Sequence, residues 1–234
     1  MIYATSDLHG YALKDFQTLL KKARFRDSDF LFVLGDVIDQ NGDGGVETLQ
    51  WMSLQPNIEL LMGNHEYMLL ACAFAFRNVN EETVRSLTPE QKKRLKHWMD
   101  IGAAPTIASL RTLAQENPEA VNDLLDYVKE APMYETVETA SGDYLLVHSG
   151  LGGFSPDKKL KSYTPGELLC HRPKADERYF EDVMTVLGHT PTLYYGAPGR
   201  MFETDTWMDI DTGAGREGVP MLLRLNDRCP VYGD

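Results

Sequence analysis

Phe30-Leu31-Phe32-Val33-Leu34-Gly35-Asp36 decides how the rest of this chain is read. Five consecutive apolar residues make a run of strand length, and a glycine that permits close approach of backbone and ligand separates them from a carboxylate. The pattern recurs. Ile2-Tyr3-Ala4-Thr5 runs toward Asp7-Leu8-His9, Ile58-Glu59-Leu60-Leu61-Met62 into Gly63-Asn64-His65-Glu66, Tyr144-Leu145-Leu146-Val147 into His148, and Val183-Met184-Thr185-Val186-Leu187 into Gly188-His189. In an α/β sheet the carboxyl ends of adjacent strands face one crevice, so residues this far apart in sequence are expected to share one site.

Outward from these strands, the chain up to about Phe76 alternates strand, loop and helix, which implies a largely parallel sheet covered by helices. Residues 11–23 set Leu13, Phe16, Leu19 and Leu20 on one helical face, and residues 46–54 do so more loosely. Between residues 77 and 132 helix follows helix. Thr88-Pro89-Glu90 and Asn117-Pro118-Glu119 each read as an N-cap, a first-turn proline and an acidic residue. This α-helical insertion carries no metal-type motif, and its expected role is either a cap beside the site or packing support. Strands return from Asp143 onward, in residues 144–147, 183–187, 207–210 and 219–225, with a short helix announced by Thr164-Pro165-Gly166-Glu167.

A hydrophobic share of 43% and a charged share of 25% are those of an ordinary globular protein. The net charge of −12 argues against a nucleic-acid partner, because nonspecific affinity for phosphate backbones comes from Lys and Arg. Bound cations would nonetheless make a local pocket attractive to a phosphorylated substrate. Cys72, Cys170 and Cys229 are an odd, widely spaced set without metal-finger spacing, which points to a reducing cytoplasm. The amino terminus lacks the basic and apolar pattern of a leader, and the longest apolar stretch, residues 68–76, is too short for a membrane span.

The chemistry of the motifs points to two metal ions. Asp7 and His9, two positions apart in an extended segment, would face one side and reach one ion. Asp36 has the second carboxylate oxygen needed to bridge two ions, which such bridging holds roughly 3.5–4 Å apart, the separation that clamps a phosphoryl displacement. Asn64 offers an amide oxygen to the second ion, and His148 and His189 complete its shell. Mixed donors of this kind suit manganese, iron or zinc better than calcium. His65 is left free to protonate a departing alkoxide, with Asp39 accepting a hydrogen bond from its other ring nitrogen. His97 and His171 fit no such pattern.

Taken in order, Asp-x-His-Gly, Gly-Asp-x-x-Asp, Gly-Asn-His-Glu, Val-His-x-Gly and Gly-His-Thr-Pro, from Asp7 to Pro191, resemble the calcineurin-like metallophosphoesterases. Within these the chain is similar to the serine/threonine phosphoprotein phosphatases and their small bacterial and phage relatives, and Thr190 matches that branch. Asp209-Ile210-Asp211-Thr212-Gly213 resembles the strand and turn that close such domains. The resemblance implies an α/β fold, a β-sandwich flanked by helices, as a single domain over residues 1–234 with residues 77–132 inserted in it. It places Asp7, His9 and Asp36 on one ion and Asp36, Asn64, His148 and His189 on the other, with His65 and Asp39 as an acid dyad. Manganese is the first expectation for both ions.

One departure stands out. Gln40 occupies the position where relatives carry an arginine that grips the substrate phosphate. Arg172 is similar to a second phosphate-binding arginine of the bacterial and phage enzymes, and Arg172 and Asn64 are assigned to the substrate phosphate. The expected activity is a phosphatase acting on a phosphorylated protein or a small phosphate ester. The missing arginine makes a symmetrical diadenosine tetraphosphatase the alternative, and an inactive metal-binding scaffold is a third reading, opposed by the intact ligand set.

Overall fold

The computed structural model describes residues 1–76 and 87–233. Strands β1 (Ile2–Thr5), β2 (Phe30–Val33) and β3 (Ile58–Leu60) pair in parallel, connected by helices α1 (Leu13–Lys22) and α2 (Val46–Met52). The connections are helical because parallel neighbours need a long crossover. Helix α1 buries Phe16, Leu19 and Leu20 on one face, with Asp15 in its first turn and Lys21 and Lys22 in its last, charges that complement the helix dipole. Helix α3 (Asn64–Ala71) follows β3 directly.

Helices α4 (Pro89–Asp100), α5 (Ala104–Glu116) and α6 (Pro118–Glu130) come next. Their caps follow the expectation: Thr88 and Gln91 satisfy each other's backbone N–H, and the Asn117 side chain accepts from Ala120 N–H. Residues 77–86 of the expected insertion lie outside the described residues. Trp98, Ile107, Leu110, Leu124 and Leu125 join Phe16, Leu49 and Leu69 in one apolar cluster, so these helices pack on the same side of the first sheet as α1 to α3.

A second sheet is built from β4 (Tyr134–Thr139), β5 (Gly142–Val147), β6 (Val183–Leu187), β7 (Phe202–Glu203) and β8 (Trp207–Asp209), in the order β4-β5-β6-β8-β7. The short helix α7 (Pro165–Leu169) lies between β5 and β6 in the chain. The chain then returns to the first sheet through β9 (Met221–Arg224) and β10 (Cys229–Tyr232), giving the order β10-β9-β1-β2-β3.

Strand alternation sorts these residues into layers. Tyr3, Leu31, Val33 and Leu222 face the helices, whereas Ala4, Phe32 and Leu223 face the second sheet and meet Leu146, Val186 and Met208 there. Leu145, Val147, Leu187 and Trp207 turn to the outer side, against Leu168 of α7. The central strands are therefore covered on both faces, which explains their unbroken apolar runs. Each large side chain so buried contributes about 1.5–3 kcal/mol. The β-sandwich flanked by helices agrees with expectation. Strands β4 and β10 were not expected: both are edge strands of partly exposed residues, with charges or a proline breaking the apolar pattern.

All three cysteines are free, and no helix among the described residues is long and apolar enough to cross a membrane.

Candidate active site

The expected extended Asp7-Leu8-His9 segment is not extended. Asp7 and His9 have φ of 53° and 43°, in the left-handed region, as do Asp36 (53°), Asp39 (77°) and His189 (68°). Left-handed turns, not strand alternation, aim Asp7 and His9 at one point, and Leu8 between them is fully buried. Such backbone costs about 1 kcal/mol or more per residue, although Asp and His tolerate it better than most.

Buried Glu66 offsets part of this cost. Its carboxylate accepts the backbone N–H groups of Asp36 at 2.7 Å, Val37 at 2.9 Å and Ile38 at 3.3 Å, holding the loop after β2 in its strained course. The start of α3 adds a further constraint, since His65 N–H donates to Asp36 Oδ1 at 3.0 Å. Gly35 has a φ of 82°, and a side chain there would collide with the backbone of Gly63, so the two motif glycines bring the loops after β2 and β3 together.

The donor atoms then meet in an arrangement that lacks protons to hold it. His9 Nδ1–H donates to Ile38 O at 3.1 Å and His148 Nδ1–H to Leu34 O at 2.6 Å. In the neutral rings each Nε2 is therefore a lone pair. His9 Nε2 faces Asp7 Oδ1 and Asp36 Oδ2, each at 3.7 Å, and His148 Nε2 faces Asp36 Oδ1 at 3.4 Å and Asn64 Oδ1 at 3.0 Å. Acceptor faces acceptor in both places. Asp7 Oδ1 is buried without a hydrogen-bond partner, while its other oxygen accepts from Ser6 and from His189 N–H. Donor atoms of Asp36, His148 and His189 lie within 4.8 Å of one another, as do those of His9, Asp36 and His65. Cations satisfy such a donor set, and second-sphere carbonyls that fix the imidazole tautomer are typical of metal-binding histidines.

Burial keeps the imidazoles neutral, lowering His9 to about 4 and, with help from His148, His189 to about 3. Asp36 is held well below the usual carboxylate range: burial opposes ionisation, but the rings of His148, His65, His9 and His189 surround it, and among them His65 carries a charge. Asp7 is pushed up by burial and by the neighbouring Asp211 and Asp36 charges, a repulsion that a cation would relieve.

His65 differs from the other imidazoles. Its Nδ1–H donates to Asp39 Oδ2 at 2.6 Å, and although burial disfavours its charge, Asp36 and then Asp39 raise it to about 9. Asp39, fully buried, also accepts from Trp98 Nε1–H at 2.7 Å and from the Thr106 hydroxyl at 2.5 Å. Both donors come from α4 and α5. Above the cluster lies a cavity of about 230 Å³ bounded also by Gln40, Arg172, Asp211 and Arg216.

A family model for calcineurin-like phosphoesterases matches residues 1–212. The chain belongs to this family. The chain is 26% identical over 199 residues to a symmetrical bis(5'-nucleosyl)-tetraphosphatase from Acidovorax sp. (strain JS42), an alignment covering 82% of this chain and 58% of that protein. It spans less than two thirds of the length of the curated relatives it matches. Among solved structures, one provisionally assigned as a diadenosine tetraphosphatase superposes with a TM-score of 0.65 at 17% identity, covering 100% of this chain and 93% of the other. A Saccharomyces cerevisiae serine/threonine phosphatase with similarity to human phosphatase PP5 gives 0.52 at 15% identity, covering 95% and 72%. These two likenesses concern the fold.

In this family member, then, Asp7, His9, Asp36, Asn64, His148 and His189 converge, His65 and Asp39 form a hydrogen-bonded pair, and Arg172 reaches the same cavity. His171 instead pairs with Glu177 at 2.9 Å, and His97 is exposed on α4. Sequence reading did not single out Glu66, Trp98, Thr106 or Arg216. Glu66 stands inside a recognised motif and was legible in principle; the other three belong to no motif and reach the site only through the tertiary fold.

Proposed function

We propose that this phosphoesterase uses two divalent ions to hydrolyse symmetrical dinucleoside tetraphosphates. The observation that carries the metal chemistry is the meeting of imidazole lone pairs and carboxylate oxygens around Asp36. The name of the curated relative supports the substrate class, and favours it over the phosphoprotein expected first from the sequence. Manganese remains our first candidate for the ions, with iron or zinc compatible with the same donors.

Asp7, His9 and Asp36 would hold one ion and Asp36, Asn64, His148 and His189 the other. A pair of divalent ions supplies Lewis acidity at phosphorus and a more acidic water near neutral pH. In the overall reaction the oxygen of one water joins a central phosphorus, the bridging P–O bond breaks, and two nucleoside diphosphates leave. His65 Nε2–H would protonate the departing oxygen, and the proton released by the consumed water would restore it. Asp39 fixes the ring and supports its charge. Arg172 orients the phosphate, with the amide of Asn64 beside it.

We further read the chain as one domain, with α4 to α6 as an insertion whose Trp98 and Thr106 brace Asp39. The free cysteines support a reducing, cytoplasmic setting.

Steady-state assays with added manganese on bis(5'-adenosyl) tetraphosphate, a phosphoserine peptide and p-nitrophenyl phosphate test this reading. The expected result is the highest kcat/KM for the tetraphosphate, with ADP as the nucleotide product. Preference for the phosphopeptide, or a mixture of ATP and AMP as products, overturns it.

A further inference from the structure

Gly215 explains how the loop after Asp211 comes to border the site. A Cβ at this position would lie 2.5 Å from Gln40 Oε1 and 2.5 Å from His9 Cδ2, so only a glycine lets the loop settle onto these side chains. The residue that follows, Arg216, is carried to the rim of the catalytic cavity, and its charge, like that of Arg172, reaches Asp211 inside that cavity. The position after Asp39 thus holds an uncharged, exposed side chain whose amide lies beside the loop, and a cation enters from the loop itself.

Arg216 borders a second space as well. A cavity of about 540 Å³ adjoins the first and shares with it Pro191, Gly213 and Arg216; its remaining wall includes Leu193, Pro198 and the acidic residue Glu217. The Arg216 guanidinium lies 5.6 Å from the centre of the Tyr194 ring, a cation–π distance that holds the side chain at the junction. Leu193 and Tyr194 are 45% and 54% exposed. An apolar concavity with one cationic residue at its mouth and one acidic residue on its wall matches a flat, apolar-faced group joined to phosphate and hydroxyls, and a volume of this size is ordinary for a small-molecule site.

We infer that this adjoining cavity is a nucleotide subsite, in which Arg216 binds the phosphate next to the one being attacked while the base lies against Pro191, Leu193 and Pro198. This deepens, and rests on, the dinucleoside polyphosphate reading. A guanidinium at the junction of two cavities can grip two consecutive phosphates, which a monoester with a small leaving group does not offer.

The test uses the manganese-loaded protein with p-nitrophenyl phosphate as reporter and ADP or inorganic phosphate as competing probe. ADP is expected to inhibit at least tenfold more tightly than inorganic phosphate. Arg216→Ala should erase most of that difference, weakening ADP inhibition tenfold more than it alters the KM of the reporter. Leu193→Trp, a change at an exposed position that fills the cavity, should weaken ADP inhibition while Arg216 remains in place. The inference falls if ADP inhibits no better than phosphate, if both probes weaken equally in Arg216→Ala, or if a phosphoserine peptide rather than ADP is the ligand that depends on Arg216. Failure to cleave the tetraphosphate while the ADP results hold would overturn the proposed reaction and leave the subsite standing.

Discussion

Trp98 Nε1–H donates to Asp39 Oδ2 at 2.7 Å, sharing that oxygen with the imidazole of His65 at 2.6 Å. A residue of α4 thereby fixes which way the dyad carboxylate points, and Thr106 of α5 holds its other oxygen. Trp98→Phe keeps most of the buried volume and removes one charge-assisted hydrogen bond, a loss of about 1.5–3 kcal/mol in dyad geometry. The rate should fall roughly 10-fold to 100-fold on substrates with poor leaving groups and less on p-nitrophenyl phosphate, with unchanged metal content. Equal losses on both substrates would show that Trp98 acts on something other than proton transfer.

His65→Asn tests the acid itself. Asp7 Oδ1 is buried without a partner and in the proposed arrangement would complete the first ion's shell, so removing His65 should leave both ions bound by elemental analysis. Turnover should drop roughly 100-fold to 10,000-fold, the usual range for a general acid. Loss of an ion together with activity would make His65 a ligand.

Asp36 is the residue both halves of the cluster share, facing His9 through Oδ2 and His148 through Oδ1. Asp36→Asn should therefore lose both ions together, and chelation of the native protein should abolish hydrolysis, with recovery when metal is restored. A variant that retains two ions and near-native kcat would remove Asp36 from the bridging position.

Glu66→Gln replaces one acceptor oxygen with an amide NH₂ inside a pocket of three backbone donors. One buried N–H is left facing a donor, at a cost of about 1–3 kcal/mol. The loop carrying Asp36 should loosen, so metal affinity should fall along with Tm. Unchanged affinity measured by metal titration would confine Glu66 to a packing role.

Much of the site was legible because its residues stand at strand ends, where apolar runs, glycine and a polar residue follow one another within a few positions. The helix caps at Thr88, Asn117 and Thr164 were legible for the same reason: their partners lie three residues away. Trp98 and Thr106 were not, because the carboxylate they bind is more than fifty residues distant and their own surroundings are those of ordinary amphipathic helices. The left-handed course of Asp7 and His9 was also hidden, since local pattern after an apolar run favours continuing the strand, whereas contacts with the loop after β2 decide otherwise. Edge strands β4 and β10 carry too few buried residues to leave a periodic trace.

Asp7, Asp36 and Asn64 follow strands of the first sheet, while His148 and His189 follow strands of the second. An ion held between these groups is therefore a clasp across the sandwich. Without it, lone pairs on opposing layers repel along the seam where the sheets meet; with it, the free energy of coordination becomes free energy of docking one layer on the other. Substitutions deep in that seam, at Phe32 or Leu146, would then be felt first as a weakened grip on metal, well before the sandwich comes apart.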